Sequence, residues 1–424
     1  MTKQPYSALP RDAQEALRTE LMKEYEAFRA RGLKLDMSRG KPAPAQLDLS
    51  AELLEIRDIR AADGTDCRNY GGVDGLPECK ALFASILGVT PQEVIVGGNS
   101  SLNLMYDAIT RAMLLGVTGG TAPWGKQEKL KFLCPVPGYD RHFAICEQLG
   151  IEMVNIALLP TGPDMDAVEA LVKSDSSIKG IWCVPMYANP DGAVYADETI
   201  RRLAEMKVAA DDFRIFWDNA YCLHHLVDQP RTQQNLLEAC KAAGNPDRVY
   251  IFASTSKVTF AGAGVAAMAA SKANIDYIRA QMSMQTIGAD KINQLRHVRY
   301  LRDLDGVRAH MKRHQAIIAP KFDAVLDTFD AELDGLDVAS WTKPEGGYFI
   351  SLDVPDGCAK RVVSLCKEAG VTLTPAGATF PYGKDPRDRN IRIAPTFPST
   401  DELNLATKLL CLSVRLAAVE KLLG

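Results

Sequence analysis

Between residues 94 and 270, short apolar runs alternate with stretches patterned for helices. The runs fall at 94–96, 131–134, 152–156, 180–184, 214–217, 249–252 and 265–270, and several are apolar at nearly every position. Near-continuous apolarity marks strands covered on both faces, as a mainly parallel sheet requires. The stretches between them, roughly 101–115, 140–149, 164–173, 197–209 and 232–243, read as helices. This alternation predicts consecutive β-α units and an α/β fold with a seven-stranded, mainly parallel sheet. The last two runs are too close for a crossover helix, so the seventh strand is expected to run antiparallel to the sixth.

Outside that block the pattern changes. Residues 12–31 place Leu17, Leu21, Tyr25 and Phe28 at three- and four-residue spacings, predicting an amphipathic helix. Residues 36–44 lack periodicity and read as a loop or extended arm, and the glycines of 68–77 mark another loop before a helical run at 78–87. After 270 the chain is helical and rich in cations, and strand signals return at 348–353, 371–374 and 390–393. The expected organisation is a large domain at 51–304 and a smaller α+β domain at 305–424, which the N-terminal helix and arm at 1–50 join.

Composition narrows the class. The 424-residue chain is 47% hydrophobic and 24% charged with a formal net charge of −4, and its pI is near 6.0. That balance suits small-molecule chemistry and gives no footprint for nucleic acid. The ten cysteines include no C-x-x-C pair and no Cys/His cluster at ligand spacing, so no metal is expected and the thiols read as reduced, buried hydrophobes. Residues 1–31 are charged and no run reaches membrane-spanning length, which predicts a cytoplasmic protein with no membrane partner.

In an open sheet of this kind, ligands collect outside the carboxyl ends of the strands. Gly97-Gly98-Asn99-Ser100-Ser101 follows the first strand and opens a helix, whose free N–H groups and dipole suit a phosphate. Tyr139 follows Pro135-Val136-Pro137-Gly138 and places a ring able to stack on a flat heterocycle. Asn189 offers an amide in a turn that Pro190 stiffens. Asp218 is a carboxylate at the end of an apolar strand, costly to bury without a cation, and Tyr221 is a phenol just beyond it. Lys257, in Ser254-Thr255-Ser256-Lys257, is an amine among small hydroxyl residues, free to form a Schiff base with an aldehyde. Singly, each also fits a cap, a turn, a packing ring or a solvated lysine. In this order along successive strand ends they describe a site for pyridoxal 5'-phosphate, with the carboxylate pairing the pyridine nitrogen.

The same motifs, together with Ser38-Arg39-Gly40-Lys41-Pro42, Asn69-Tyr70-Gly71-Gly72 and Arg392-Ile393-Ala394-Pro395, resemble the fold-type I aminotransferases of class I. Within that class they look like the bacterial aspartate aminotransferase subgroup Ic, over nearly the whole chain. The resemblance implies that Lys257 is the Schiff-base lysine and proton shuttle, that Asp218 pairs the pyridine nitrogen, and that Tyr221 and Asn189 flank the phenolic oxygen. It implies that Tyr139 stacks on the ring, that Asn99, Ser100 and Ser254 hold the phosphate, and that Tyr70 reaches it from the partner subunit of a homodimer. Arg392 matches the arginine that clamps the substrate α-carboxylate, with Gly40 and Asn189 beside it. Arg39 and Lys291 are the candidates for reading a second carboxylate.

Two positions depart from that pattern. Class I enzymes carry a phosphate-binding arginine eight residues beyond the lysine, where this chain has Val265. Asp191 follows Asn189-Pro190 where a small hydroxyl residue is common. The expected reaction is transamination between an amino acid and a 2-oxo acid. The resemblance favours aspartate or glutamate with 2-oxoglutarate or oxaloacetate. Neutral or aromatic substrates, a lyase reaction on the same cofactor, and a cofactor-sensing regulator stand as alternatives. The regulator is opposed by the short helix and arm that precede the cofactor domain, where such regulators resemble fusions with an N-terminal winged-helix domain, and by the mildly acidic charge.

Overall fold

The computed structural model describes residues 4–424. Its strands are β1 (Leu35–Asp36), β2 (Val94–Val96), β3 (Lys131–Val136), β4 (Glu152–Leu159), β5 (Gly162–Pro163), β6 (Ile178–Cys183), β7 (Arg214–Asp218), β8 (Val249–Ser254), β9 (Ala266–Ala269), β10 (Ser340–Trp341), β11 (Ile350–Asp353), β12 (Val371–Thr372) and β13 (Asn390–Ile393). The central sheet has the order β2-β9-β8-β7-β6-β3-β4-β5 and contains all seven strands expected between 94 and 270. Strands β4, β3, β6, β7 and β8 pair in parallel, and β9 runs antiparallel to both β8 and β2. The eighth strand, β5, is two residues long and pairs antiparallel with β4 at the edge. Gly162 and Pro163 carry none of the composition that marks a strand.

Alternation along each strand sorts its side chains to two faces. Val94, Val96, Leu133, Ile181, Ile215, Trp217 and Ile251 enter the apolar cluster on one face. Ile95, Phe132, Cys134, Trp182, Phe216 and Phe252 enter the cluster on the other. On that second face the rings form a layer: Trp182 and Phe216 have centroids 4.9 Å apart, Phe132 and Phe216 5.5 Å, and Phe216 and Phe252 stack at 5.9 Å.

The C-terminal part contributes the antiparallel sheet β10-β11-β13 and the helices Leu304–Glu332 and Thr400–Leu423. The helix Arg11–Arg29 and the segment after it pack into the same cluster, where Leu21, Tyr25 and Met37 join Phe322, Ile350 and Leu409. Tyr25 Oη donates to Leu365 O at 2.9 Å. Residues 36–44 are not wholly a loop, because β1 pairs in parallel with β12 and Pro44 begins a short helix. Only Leu35 and Asp36 lie opposite β12, which limits it to two residues where the sequence suggests four. The stretches expected as helix to 209 and from 232 are helical at Asp197–Glu205 and Leu236–Ala242. The latter starts late because Asn235 caps it, its side chain accepting from Glu238 N. Among the described residues no helix is long and apolar enough to cross a membrane.

The aromatic layer depends on one missing side chain. Phe132 lies directly opposite Gly180 in the β3/β6 pairing, and a Cβ on Gly180 would stand 2.6 Å from Phe132 Cε1. Gly180→Ala should therefore destabilise the protein by about 1–3 kcal/mol through overpacking, measured by denaturant unfolding. Adding Phe132→Leu should recover part of the loss, and an unchanged midpoint in the single variant would contradict the packing argument.

Candidate active site

Tyr139, Asn189, Tyr221 and Lys257, from four different strand ends, reach one cavity. This cavity, of about 690 Å³, is lined by Arg39, Gly40, Tyr139, Asn189, Tyr221, Lys257 and Arg392, among others. Lys257 Nζ lies 4.9 Å from the Tyr221 ring centroid and 5.9 Å from that of Tyr348. Burial pushes the lysine's pKa down, against the opposing pull of the Asp218 carboxylate. The Lys257 carbonyl lies 3.2 Å from His224 Nε2 and accepts from Tyr348 Oη at 3.4 Å. Burial drives His224 down to about 3, so it is neutral, and because a carbonyl only accepts, Nε2 carries the hydrogen.

Asp218 ends β7 and is only 3% exposed. Its Oδ2 lies 3.0 Å from His142 Nε2, whereas Oδ1 has no partner among the described residues. His142 in turn stacks on Trp182, with centroids 4.2 Å apart. His142 carries no motif of its own in the sequence, and its place one helical turn after Tyr139 is the one signal that points to it. The Tyr139 ring meets His142 edge-on at 4.9 Å. Burial and the nearby Asp218 charge push the Tyr139 phenol's pKa up, and burial does the same for Tyr221.

Asn189 is buried, and its Nδ2 is without a partner among the described residues. Its Oδ1 lies 3.4 Å from Arg392 Nη1, which also donates to Asp140 Oδ1 at 2.8 Å. Arg392 Nε donates to Thr374 Oγ1 at 3.4 Å, and the guanidinium sits 4.9 Å from the Phe349 ring centroid. Asp140 and Thr374 are further members of the site with no role foreseen from the sequence. Gly40 has a steric reason, since a Cβ there would lie 2.7 Å from Phe349 Cε1.

At the expected anion seat, Ser100 is the N-cap of the helix Ser101–Leu115, its Oγ accepting from Leu102 N at 3.2 Å. The helix leaves its first-turn N–H groups without helical partners. Ser254 Oγ donates to Ser256 Oγ at 3.1 Å, and Ser256 Oγ donates to Asn99 O at 3.0 Å, so Asn99 and both serines come together. Val265, in the arginine's place, is buried in the apolar cluster of the opposite face.

Asn99, Ser100, Asp218 and Ser254 are not on the cavity wall, and neither are Tyr70 and Lys291. Tyr70 is 82% exposed and does not line the cavity. Lys291 is buried and donates from Nζ to Gly71 O at 2.8 Å, so it fixes the loop beside Tyr70, whereas Arg39 does line the cavity. Among the described residues no group of three or more His, Cys, Asp or Glu could hold a metal ion.

The aspartate amino-transferase family model matches residues 9–424. An aspartate aminotransferase of Corynebacterium glutamicum is 46% identical over 404 residues, 95% of this chain and 93% of its own. A crystal structure of an aspartate transaminase from Corynebacterium glutamicum matches with a TM-score of 0.97 at 43% identity, covering 99% of this chain and 100% of that one. The fold also matches LysN, the α-aminoadipate aminotransferase of Thermus thermophilus, solved in complex with N-(5'-phosphopyridoxyl)-L-leucine, with a TM-score of 0.73 at 21% identity over 95% of each chain.

Asp191, the unusual residue after Pro190, is held up to about 6 by burial, with the Asp353 charge adding to the effect. A carboxyl raised above its ordinary value of 3.8 stabilises the fold while neutral, and that contribution is lost as pH rises through about 6. Asp191→Asn should therefore be more stable than the parent at pH 8 by about 2 kcal/mol, with the difference vanishing near pH 4. Urea unfolding at the two pH values checks this, and an equal difference at both would exclude Asp191 as the cause.

Proposed function

Because the chain belongs to the aspartate aminotransferase family, and is therefore an enzyme of amino-group transfer, we propose that it works with pyridoxal 5'-phosphate. We further propose that its donor is aspartate or glutamate and its acceptor 2-oxoglutarate or oxaloacetate. The observation that carries the cofactor assignment is a pair of unmet hydrogen-bonding groups near Lys257. Among the described residues the buried Asp218 Oδ1 lacks a donor and the buried Asn189 Nδ2 lacks an acceptor. A protonated pyridine nitrogen supplies the first and a phenolic oxygen the second, so these residues fit the group.

Asp218 would hold the ring nitrogen, Tyr139 the ring face, and Asn189 and Tyr221 the phenolic oxygen. Asn99, Ser100 and Ser254, with Ser256 added, would hold the phosphate. When bound, the cofactor supplies an electron sink for the charge left as the α-proton departs. Arg392 fixes the substrate α-carboxylate through its planar fork. Lys257, its amine pushed towards the neutral form by burial, takes the α-proton at Nζ and returns it. Arg39, on the cavity wall, reads the second carboxylate of a dicarboxylic substrate.

We infer that the enzyme is a homodimer, supported by the exposure of Tyr70 alongside Leu54 at 61%, Met284 at 86% and Ile287 at 59%. We also infer that residues 51–304 form the lysine-bearing domain and that 1–50 join 305–424, supported by the cluster those two segments share.

Lys257→Ala should remove the absorbance band of the lysine-linked cofactor and lower turnover by about 10²–10⁴-fold or more. A panel of amino donors with the unaltered enzyme should show aspartate and glutamate preferred. Undiminished turnover in the variant, or a preference for neutral donors in the panel, would reject the corresponding half of the assignment.

A further inference from the structure

Arg392 is a cation with little water around it. Its side chain is 8% exposed, and three of its neighbours, Asn189 Oδ1, Thr374 Oγ1 and the Phe349 ring, are uncharged. A guanidinium buried in this way is strongly destabilising unless paired. The pairing charge is Asp140, whose Oδ1 lies 2.8 Å from Nη1. Asp140 lines the same cavity as Lys257 and, unlike Arg392, is 37% exposed, so water can solvate it once the pair opens. A substrate carboxylate seated on Arg392 brings a second anion to a cation that balances one, and two carboxylates at one site repel.

We propose that Asp140 is an internal competitor for the substrate. It occupies Arg392 in the substrate-free enzyme and leaves when a carboxylate arrives, and so it sets KM for donor and acceptor alike. The proposal rests on the aminotransferase assignment with Arg392 as the carboxylate clamp. Release leaves Asp140 in a favourable setting. It opens the helix Asp140–Gln148, where the dipole favours an acid in the first turn, and the exposed Arg39 and Arg141 line the same cavity. Apparent affinity is then the intrinsic affinity reduced by the fraction of enzyme in which Arg392 is free. The arrangement also selects. Only an anion replaces Asp140 on a buried cation, so an amine without a carboxylate leaves the pair closed.

Asp140→Asn keeps the shape and a hydrogen bond to Arg392 but removes the charge. Steady-state kinetics of this variant should show KM for the amino donor and for the 2-oxo acid each lowered about tenfold, with kcat/KM rising accordingly. An unchanged or raised KM would mean that Asp140 only orients Arg392, and would overturn the proposal. The visible absorbance of the loaded variant reports that it is assembled, and turnover by the unaltered enzyme tests the underlying assignment separately. If the variant does not fold, a crystal structure of the unaltered enzyme with succinate decides the matter. Asp140 Oδ1 should then stand more than about 4 Å from Arg392 Nη1, and a contact retained near 2.8 Å would be equally fatal.

Discussion

A carboxylate held away from water at the end of a central strand is the constraint on which the site depends. Asp218 follows Phe216 by two residues, which sends it to the face where Phe132, Trp182, Phe216 and Phe252 form the aromatic layer. The only polar atom of those four rings, Trp182 Nε1, already donates to Cys146 Sγ at 3.2 Å. His142 meets one oxygen and is itself pinned flat against Trp182, while among the described residues the other oxygen is left unmet. In such surroundings a carboxylate acts on a nearby cation far more strongly than it would in water. The rigid sheet prevents it from turning aside, so the fold stores a demand for positive charge at one point.

The glycine-rich stretch after Lys257 follows from a second constraint, close approach. A Cβ on Gly264 would lie 3.1 Å from both Asn99 O and Ser256 N, so this loop and the anion seat are packed backbone to backbone. The next side chain, Val265, then points to the opposite face, into the apolar cluster, where an arginine could not be accommodated without burying its charge. Hydroxyls would take its place in holding the proposed phosphate. Ser254 and Ser256 are chained to Asn99, and the capped helix start adds its free N–H groups.

This division between strands and contacts also decides what the sequence could reveal. The central strands are legible because burial on both faces leaves an apolar run, as in β6, where all six residues are buried. Residues at the strand ends are legible for the same reason: Asp218 and Lys257 are polar groups where an apolar run stops. What a residue meets across the fold leaves no local mark. Strand β1 exists because β12 lies beside it, and His142 looks like an ordinary helix residue until Asp218 is placed 3.0 Å away. Arg39 and Lys291 are both cations near glycines, and only the folded chain separates the one on the cavity wall from the one tied to Gly71.

The same contacts explain how one lysine can be both fixed and free. Its carbonyl is held by His224 from the loop after β7 and by Tyr348 from just before β11. Tyr348 Oη accepts from Gln46 Nε2 at 3.0 Å, and Gln46 lies 3.1 Å from His314 Nδ1, so the N-terminal arm and the long helix Leu304–Glu332 close on the same point. His310, one turn before His314, lies 2.7 Å from the carbonyl of Val258, the residue after the lysine. Burial lowers the pKa values of both helix histidines, which stay neutral and bring no charge to the loop. Segments from both ends of the chain thus clamp the backbone at 257 and 258. That clamp spends its hydrogen bonds on carbonyls, leaving Nζ over the Tyr221 ring with the cavity before it. The base that Lys257 is proposed to be would need a rigid root and an untethered tip to reach an α-carbon and withdraw from it, and this arrangement supplies both.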